Sequence, residues 1–275
     1  MKQFPNIFLI VLVCLLTVSS FSQEFIPAQG LNSDDWGYRE MGSMNREKMM
    51  PYHVAAVRKN GISKEFHIID QDTVAIFTYS PKGLLTLSVI KPGDKFAKQS
   101  FEFSWNDNDK LVGYTCKTGS TSKISSYTRD TLGQINSILT QSPPDEKIVF
   151  NFVYDKGKLL EAGDYKKTGD RFLHKTKKVD VVIAYDLNGR EILSNRDGGL
   201  RIENSFDYQG RWSQNRYIYI FERDQLYSIT DITYKNDLMQ KITERYPNVY
   251  SYGNSGLRNS IETVVKYETG FMSKK

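Results

Sequence analysis

Two neighbouring segments, IAYDLNGREI (183–192) and NSFDYQGRW (204–212), decide the fold that we predict for this chain. In each segment a run of β-branched or aromatic residues ends in an aromatic residue followed by Asp, and Asn-Gly or Gln-Gly comes shortly after. The glycine supplies the positive φ that a tight hairpin turn needs. Each segment is therefore predicted to be a strand, a turn and the start of the returning strand.

Degenerate copies of this turn recur along the chain. They begin at residues 79, 105, 129, 154, 185, 206 and 234, at intervals of 26, 24, 25, 31, 21 and 28 residues. A repeat of this length holds two strands and two turns. Asp109 and Asp237 replace glycine in two copies. This replacement fits the predicted turn, because Asp is among the residues that next best tolerate positive φ. Arg129 replaces the aromatic residue in the third copy. The predicted turn glycines are Gly83, Gly133, Gly157, Gly189 and Gly210.

The sequences YDLNGR (185–190) and FDYQGR (206–211) resemble the YD repeats of the Rhs/YD-repeat family, whose core is Tyr-Asp-x-x-Gly-Arg followed by an apolar residue. The resemblance covers residues 75–242 in degenerate form. It implies hairpins of a large rolled sheet on an exported protein concerned with carbohydrate contact, cell contact or toxin delivery. The chain lacks the family's long arrays and has no toxin domain after the repeats. The motif residues form turns and name no binding site.

Alternation of apolar and polar residues predicts antiparallel strands with one dry face, most clearly at Phe101–Trp105 and Val179–Tyr185. We predict a mainly β fold, in which an antiparallel meander of hairpin repeats over residues 65–275 curls into a bent sheet or an open barrel. Whether the sheet closes is left undecided. The run Tyr217–Phe221 is apolar throughout and predicts a strand covered on both faces.

Residues 23–64 are predicted to form an extension with short helices over residues 43–60. Pro51 suits a first helical turn and Gly61 suits the position just after a helix. Such short helices are not stable alone in water. We therefore expect the segment to pack on the sheet through its apolar residues Met49, Met50, Val54 and Val57.

Residues 1–22 have the features of a cleaved secretory signal: a cationic start, an apolar run over residues 7–18, and small residues at Ser20 and Ser22. The run is shorter than the roughly 20 residues that span a bilayer. A retained anchor is the weaker alternative, and Val13 disfavours lipidation of Cys14. Cleavage would leave Cys116 as the single cysteine, which allows no intrachain disulfide. The predicted location is the periplasm or the cell exterior, without integration into the membrane.

Lys and Arg number 37 and Asp and Glu 32, which gives a net charge of +5. This modest charge suits solubility and does not indicate nucleic-acid binding. The one basic concentration lies at residues 166–178, in a predicted loop between strands. A solvated loop is the first interpretation, and a patch for acidic glycans or lipid head groups is the alternative.

No catalytic motif or cofactor site is indicated. His53, His67 and His174 do not have the spacing of a metal site, and the pair Glu203 and Asp207 would need to meet in space to do acid–base work. Aromatic faces pack against sugar rings and guanidinium groups hold their oxygens. The candidate ligand-binding residues are therefore Trp212, Arg211, Tyr208, Arg216 and Tyr219, and the alternative is that these rings form core. Tyr246, Tyr250 and Tyr252 could line a rim.

Three functional hypotheses follow. The leading one is an exported, non-enzymatic binding protein of the envelope or cell surface that holds a glycan, a lipid or a protein partner. The second is a dedicated interaction partner, such as an immunity or accessory protein of a secreted system, which would present a flat apolar patch. The third is a hydrolase with an unrecognised site, which would show carboxylates converging in a pocket with shifted pKa values.

Overall fold

The computed structural model describes residues 43–91, 97–144, 146–168, 171–175, 180–185, 191–196, 200–219, 225–247 and 260–271. The predicted signal peptide, the rest of the extension up to residue 42, the turn at Gly189 and the tyrosines Tyr250 and Tyr252 lie outside these residues.

Two short helices precede eighteen strands within the described residues. The helices are α1 (Ser43–Lys48) and α2 (Pro51–Lys59). The strands are β1 (Ile62–Ile69), β2 (Asp72–Tyr79), β3 (Leu85–Ile90), β4 (Gln99–Trp105), β5 (Leu111–Thr118), β6 (Thr121–Arg129), β7 (Ile135–Ser142), β8 (Glu146–Asp155), β9 (Lys158–Ala162), β10 (Tyr165–Thr168), β11 (Arg171–Lys175), β12 (Asp180–Tyr185), β13 (Glu191–Arg196), β14 (Leu200–Phe206), β15 (Trp212–Tyr219), β16 (Gln225–Lys235), β17 (Leu238–Arg245) and β18 (Ser260–Thr269).

Each strand pairs antiparallel with the next one along the chain, and β18 pairs with β1. The predicted antiparallel meander is confirmed, and the sheet is a closed barrel, not an open one. Closure continues past the strands, because the backbone N–H groups of Gly270 and Phe271 donate to the carbonyl oxygen of Gly61 at 3.1 and 3.2 Å. A closed ring leaves no unpaired strand edge for another chain to join.

The turns of the repeat that the structure describes lie at one end of the barrel, and the same hydrogen bonds recur in three of them. The side-chain oxygens of Asn106, Asp130 and Asp207 each accept from the backbone N–H groups two and four residues later, at 2.8–3.1 Å. The glycines Gly83, Gly133, Gly157 and Gly210 have φ between 77° and 80°, and the replacements Asp109 and Asp237 have φ of 58° and 65°. We call this end of the barrel the turn end.

Immediately after five of the described turns, an apolar side chain fills the turn end of the barrel. Each is at most 2% exposed, and the series is Leu85, Leu111, Ile135, Leu159 and Met239. The inward faces of β2 to β9 continue this packing into one apolar cluster that includes Phe77, Phe103, Tyr114 and Phe152.

A ladder of hydrogen bonds links successive repeats inside the turn end. In each bond, a side chain near the end of the strand that precedes a turn donates a hydrogen bond. The acceptor is the backbone carbonyl of the buried apolar residue that follows the preceding turn. The pairs are Trp105 Nε1 to Leu85 at 2.7 Å, Arg129 Nη2 to Leu111 at 2.9 Å, Tyr154 Oη to Ile135 at 2.7 Å and Tyr267 Oη to Met239 at 2.6 Å. Arg129 therefore replaces an aromatic residue without breaking the ladder, because the position needs a long side chain with a donor.

The outer wall carries ion pairs between neighbouring strands. Lys117 Nζ lies 3.0 Å from Glu102 Oε1, and Lys241 Nζ lies 3.1 Å from Glu262 Oε2. Further pairs join Lys64 to Glu268, Arg216 to Glu203 and Arg245 to Asp231. These partners are about one third to more than one half exposed, so the outer surface of the barrel is polar in these places.

The structure corrects two predictions about the strands. The basic cluster at residues 166–178 was expected in a loop, but its first part forms β10 and β11, which pair from Lys166 to Leu173. The run Tyr217–Phe221 was expected to be covered on both faces; β15 ends at Tyr219, and of residues 217 and 218 only Ile218 is fully buried.

Candidate functional site

The helices plug the turn end of the barrel. Arg58 Nε on α2 donates to the carbonyl oxygen of Lys82 in the first turn at 2.7 Å, and Lys59 Nζ contacts Asp237 Oδ2 in the last predicted turn at 2.9 Å. Of the four side chains expected to dock the segment, Met49 and Val57 are buried and Met50 and Val54 are half-buried.

Beneath the plug lies a group of six polar side chains that we call the buried ion network. Its members come from both helices and from β1 and β2, and none is more than 4% exposed. They are Glu47, Lys48, His53, Glu65, His67 and Tyr79.

Glu65 is the centre of the buried ion network. Its Oε1 lies 2.6 Å from Lys48 Nζ and 2.7 Å from His67 Nε2, and its Oε2 accepts from Tyr79 Oη at 2.7 Å. His53 Nε2 lies 3.3 Å from the same Oε2 and 3.0 Å from Tyr79 Oη. Four side chains thus surround one carboxylate, and three of them contact it at distances typical of charge-assisted hydrogen bonds.

Lys48 joins α1 to the barrel wall. Its Nζ lies 2.7 Å from Glu47 Oε2 as well as 2.6 Å from Glu65 Oε1, and 5.4 Å above the ring centre of Phe77. Two carboxylates and one aromatic face therefore compensate an ammonium group that is withdrawn from water. Lysine is almost never fully buried unless it is paired in this way.

The charges in the network fix its protonation. Burial alone would raise the pKa of Glu65, but the Lys48 charge and the hydrogen bonds from His53 and His67 hold that pKa well below its ordinary value. Burial alone would lower the pKa of Lys48, but Glu47 and Glu65 raise it. Burial lowers the pKa of His67, and burial and the Glu65 charge raise the pKa of Tyr79. At neutral pH the network holds ionised Glu65 and Lys48 with His67 and Tyr79 neutral.

Such a network acts as a structural lock. A carboxylate whose lone pairs are occupied, and which no solvent reaches, cannot exchange protons with a bound substrate in this arrangement. Removing one partner of a buried ion pair leaves an uncompensated charge and costs about 3–5 kcal/mol. The network therefore holds α1 and α2 against β1 and β2.

The structure separates the predicted ligand-binding residues. Arg216 lies on the outer wall with Glu203 at 3.1 Å, and Tyr208 is 92% exposed at the tip of its turn. Tyr219 ends β15, at the far end from the turns. Asp207 binds Arg211 within its own turn, so Asp207 and Glu203 do not form the carboxylate pair that acid–base work would need.

Arg211 and Trp212 remain together and face the plug. Arg211 Nε and Nη2 contact Asp207 Oδ2 at 2.8 and 2.7 Å, and its guanidinium lies 4.3 Å from the ring centre of Tyr234. Trp212 lies under α1, with the Arg46 guanidinium 5.9 Å from its ring. Trp212 therefore belongs to the packing of the plug, whereas Arg211 also reaches the surface.

A groove of about 140 Å³ opens between α2 and the turns that begin at residues 206 and 234. One face of α2 lines one side, and the two turns line the other. The lining residues are Tyr52, Ala55, Ala56, Lys59, Gln209, Arg211 and Asp237. This groove and the buried ion network are the two places where the structure gathers polar groups around the plug.

The buried ion network was not predicted from the sequence. His53 and His67 are 14 positions apart in the chain and meet only because α2 folds over β1. In β1 the apolar residues Phe66 and Ile68 alternate with Glu65 and His67, and the structure turns the titratable pair inward. The available signal was that Glu65 and His67, two titratable residues two positions apart, alternate with the apolar Phe66 and Ile68.

Two negative findings apply to the described ranges. In that part of the chain, no group of three His, Cys, Asp or Glu residues has an arrangement that would hold a metal ion. Within the same residues, no helix has both the length and the apolar character to cross a membrane.

No protein-family model matches the chain, and no curated protein matches it. Among solved structures, a porin-like protein from Bacteroides uniformis aligns over 76% of this chain and 98% of its own, at 11% identity and a TM-score of 0.39. A DUF1329 family protein from Desulfovibrio piger aligns over 80% and 93%, at 10% identity and a TM-score of 0.22. The chain also aligns with 14% of a TcdB2–TccC3 chain, at 8% identity and a TM-score of 0.19. Since all three TM-scores and identities are low, these likenesses assign no family and no function.

Proposed function

We propose that this chain is an exported, non-enzymatic binding protein of the envelope or cell surface, which holds a glycan, lipid or protein partner on a plugged barrel. The observation that carries the proposal is the sealing of Glu65. It has the strongly lowered pKa that often marks a catalytic group, yet it is fully buried and surrounded by four side chains. That arrangement favours a rigid scaffold over a site of turnover.

The ion-paired parts of the outer wall support a barrel that faces water. A membrane barrel presents an apolar band to lipid, and charged residues there are destabilising. The outer wall of this barrel instead carries ion pairs such as Lys117 with Glu102 and Lys241 with Glu262.

A second candidate function, a protein-interaction partner, is favoured by apolar residues on the outer wall at β7 to β9. Val149 and Val153 are 58% and 46% exposed and lie two pleats apart on β8, and Leu160 on β9 is 38% exposed. Leu139 pairs with Val149 across the neighbouring strand. This strip would suit a protein surface better than a sugar.

To test the proposal, the chain from residue 23 onward is immobilised and exposed to an envelope extract of the source organism. We expect the chain to retain a glycan, a lipid or a protein in stoichiometric amount and chemically unchanged. In a matched variant with Val149→Lys and Val153→Lys, retention of a protein partner would be lost if the apolar strip binds it, and glycan or lipid retention would persist. An empty column, or an extract component recovered in a chemically altered form, would overturn the proposal.

A further inference from the structure

The groove beside α2 contains two cations that meet on one carboxylate. Lys59 Nζ lies 2.9 Å from Asp237 Oδ2, and Arg211 Nη1 lies 3.4 Å from Asp237 Oδ1. Asp237 sits in its turn with a φ of 65° and is 40% exposed. The carboxylate thus bridges the two sides of the groove where an external anion could also reach both cations.

Arg211 is held in a fixed orientation. Two of its nitrogens are occupied by Asp207 Oδ2, and Tyr234 lies beneath its guanidinium plane. The third nitrogen, Nη1, is the one that faces Asp237. A guanidinium that is pre-oriented loses little side-chain entropy when it binds a further oxygen.

Both cations keep donors beyond those that Asp237 uses. An ammonium group carries three N–H donors and a guanidinium carries five, whereas Asp237 takes one oxygen contact from each group. A second carboxylate therefore finds hydrogen-bond donors in the groove, and it is opposed by the negative charges of both Asp237 and Asp207, each of which contacts Arg211.

The remaining lining residues indicate what the rest of the ligand would be. Tyr52, Ala55, Ala56 and Lys59 are spaced on one face of α2, and the first three give an apolar floor beside the charged rim. Gln209 adds a neutral amide on the opposite side. A volume of about 140 Å³ admits a single ring and no extended chain. An apolar floor with a cationic rim suits a sugar ring that carries a carboxylate.

We propose that this groove binds the carboxylate of an acidic sugar through Lys59 and Arg211, with Asp237 as the competing internal anion. The inference deepens the proposed function and rests on it, since it names a ligand class for a barrel that holds its ligand without turning it over. For a monosaccharide acid, which is a small ligand, we expect a Kd on the order of 1 mM.

The chain offers a matched control. Lys82 Nζ lies 2.7 Å from Asp109 Oδ1 at another turn, and Asp109 also replaces a turn glycine with positive φ, at 58°. Neither Lys82 nor Asp109 lines the groove. Asn tolerates positive φ as Asp does, so Asp237→Asn and Asp109→Asn change the same charge in the same backbone setting.

The experiment titrates the isotope-labelled chain with D-galacturonate, D-galactose, D-galactose 6-phosphate and acetate, and follows the amide NMR signals of Ala55, Ala56 and Gln209. We expect galacturonate to shift these signals and galactose to leave them in place. Asp237→Asn should tighten galacturonate binding about tenfold. Asp109→Asn should leave the Kd unchanged, and Lys59→Met should weaken binding about tenfold or more.

Several results would overturn the proposal: equal tightening by Asp237→Asn and Asp109→Asn, equal shifts with galactose and galacturonate, acetate alone matching galacturonate, or tighter binding of the 6-phosphate. In that order, these results would indicate a general charge effect, a site for neutral sugars, a site for any carboxylate and a site for phosphate. Failure here leaves retention from the envelope extract unaffected, so it is distinguishable from failure of the proposed function.

Discussion

The turns at residues 80–84 and 130–134 share one local structure but have different surroundings. In both, the backbone carbonyl oxygen of the polar residue that opens the turn accepts from the glycine N–H, at 2.8 Å for Ser80 and 3.0 Å for Asp130. Gly83 and Gly133 have φ of 80° and 78°. A Cβ at Gly133 would have open space around it, whereas at Gly83 it would lie 2.5 Å from the carbonyl oxygen of Val54 on α2.

The difference shows which features of the barrel are local and which come from tertiary structure. Turn conformation follows from the few residues of the motif, because their hydrogen bonds close within each turn. The docking of α2 over one turn and not over the other depends on residues far away in the chain, above all on Lys48 and Glu65 in the buried ion network. Substitutions in the two turns can therefore show how much the contact with α2 contributes to stability.

The largest expected effect comes from breaking the buried ion network, which holds α2 over the first turn and has no counterpart at the turn of residues 130–134. Glu65→Gln leaves Lys48 with Glu47 as its remaining carboxylate, so we expect a loss of about 3–5 kcal/mol in the free energy of unfolding, measured with denaturant. The control is Glu102→Gln on the outer wall, which removes a partner of Lys117 and should cost at most about 1 kcal/mol. Similar losses for the two variants would contradict a lock at Glu65.

The next prediction compares the two glycines directly. Gly133→Ala should cost about 1–2 kcal/mol, because an alanine is forced into a left-handed conformation. Gly83→Ala should cost about 1–3 kcal/mol more than that, since its Cβ also displaces the Val54 carbonyl. The measurement is the free energy of unfolding of both variants, and equal losses would mean that α2 does not rest on the first turn.

These two turns also show what the sequence could predict. The motif YSPKG (79–83) and its relatives determine the turns, so the hairpins and the meander were predictable. One further copy of the turn motif and one further hairpin were not recognised. Tyr267-Glu-Thr-Gly270 ends β18 in the manner of the short copies, and the long interval between residues 154 and 185 holds four strands, β9 to β12. Closure depends on the pairing of β1 with β18, strands that lie at opposite ends of the chain, and no local sequence pattern encodes that pairing.

Acid should weaken the plug before it weakens the bare turns. The pKa of His67 is lowered from its ordinary value of 6.5, so the stability that its neutral form contributes is complete above pH 6.5 and declines as pH falls below it. Glu65, with a pKa lowered from 4.5, adds a second decline below pH 4.5. We expect about 1 kcal/mol to be lost between about pH 7.5 and about pH 5.5.

His67→Gln is the control for this pH dependence, because Gln can still donate to Glu65 but does not titrate. The variant should show a flatter unfolding free energy between about pH 7.5 and about pH 5.5. An unchanged slope would assign the dependence to other groups.

The smallest expected effect concerns the ladder, which both turns share. Tyr154→Phe removes the donor to the Ile135 carbonyl and should cost about 1 kcal/mol. Arg129→Tyr would test whether the position needs a donor of either kind, and its cost should be no greater than that of Arg129→Leu. Denaturant unfolding of the three variants is the measurement. A more stable Arg129→Leu would contradict the ladder.

The buried ion network was beyond prediction from the sequence for a physical reason. Strand periodicity places Glu65 and His67 on one face and Phe66 and Ile68 on the other, but it does not say which face points inward. Apolar content favours the second pair. The structure buries the first pair because Lys48 on α1 and Tyr79 on β2 meet Glu65, and that pairing appears only once α1 lies inside the barrel.

Native-state hydrogen exchange of the backbone amides of α1 and α2 measures whether the plug opens apart from the barrel. We expect the α2 amides to exchange as slowly as those of β1 and β2 in the unmodified protein. In Glu65→Gln they should exchange faster, while the amides of β6 and β7 near Gly133 remain protected. Rapid exchange of α1 and α2 in the unmodified protein would contradict a locked plug.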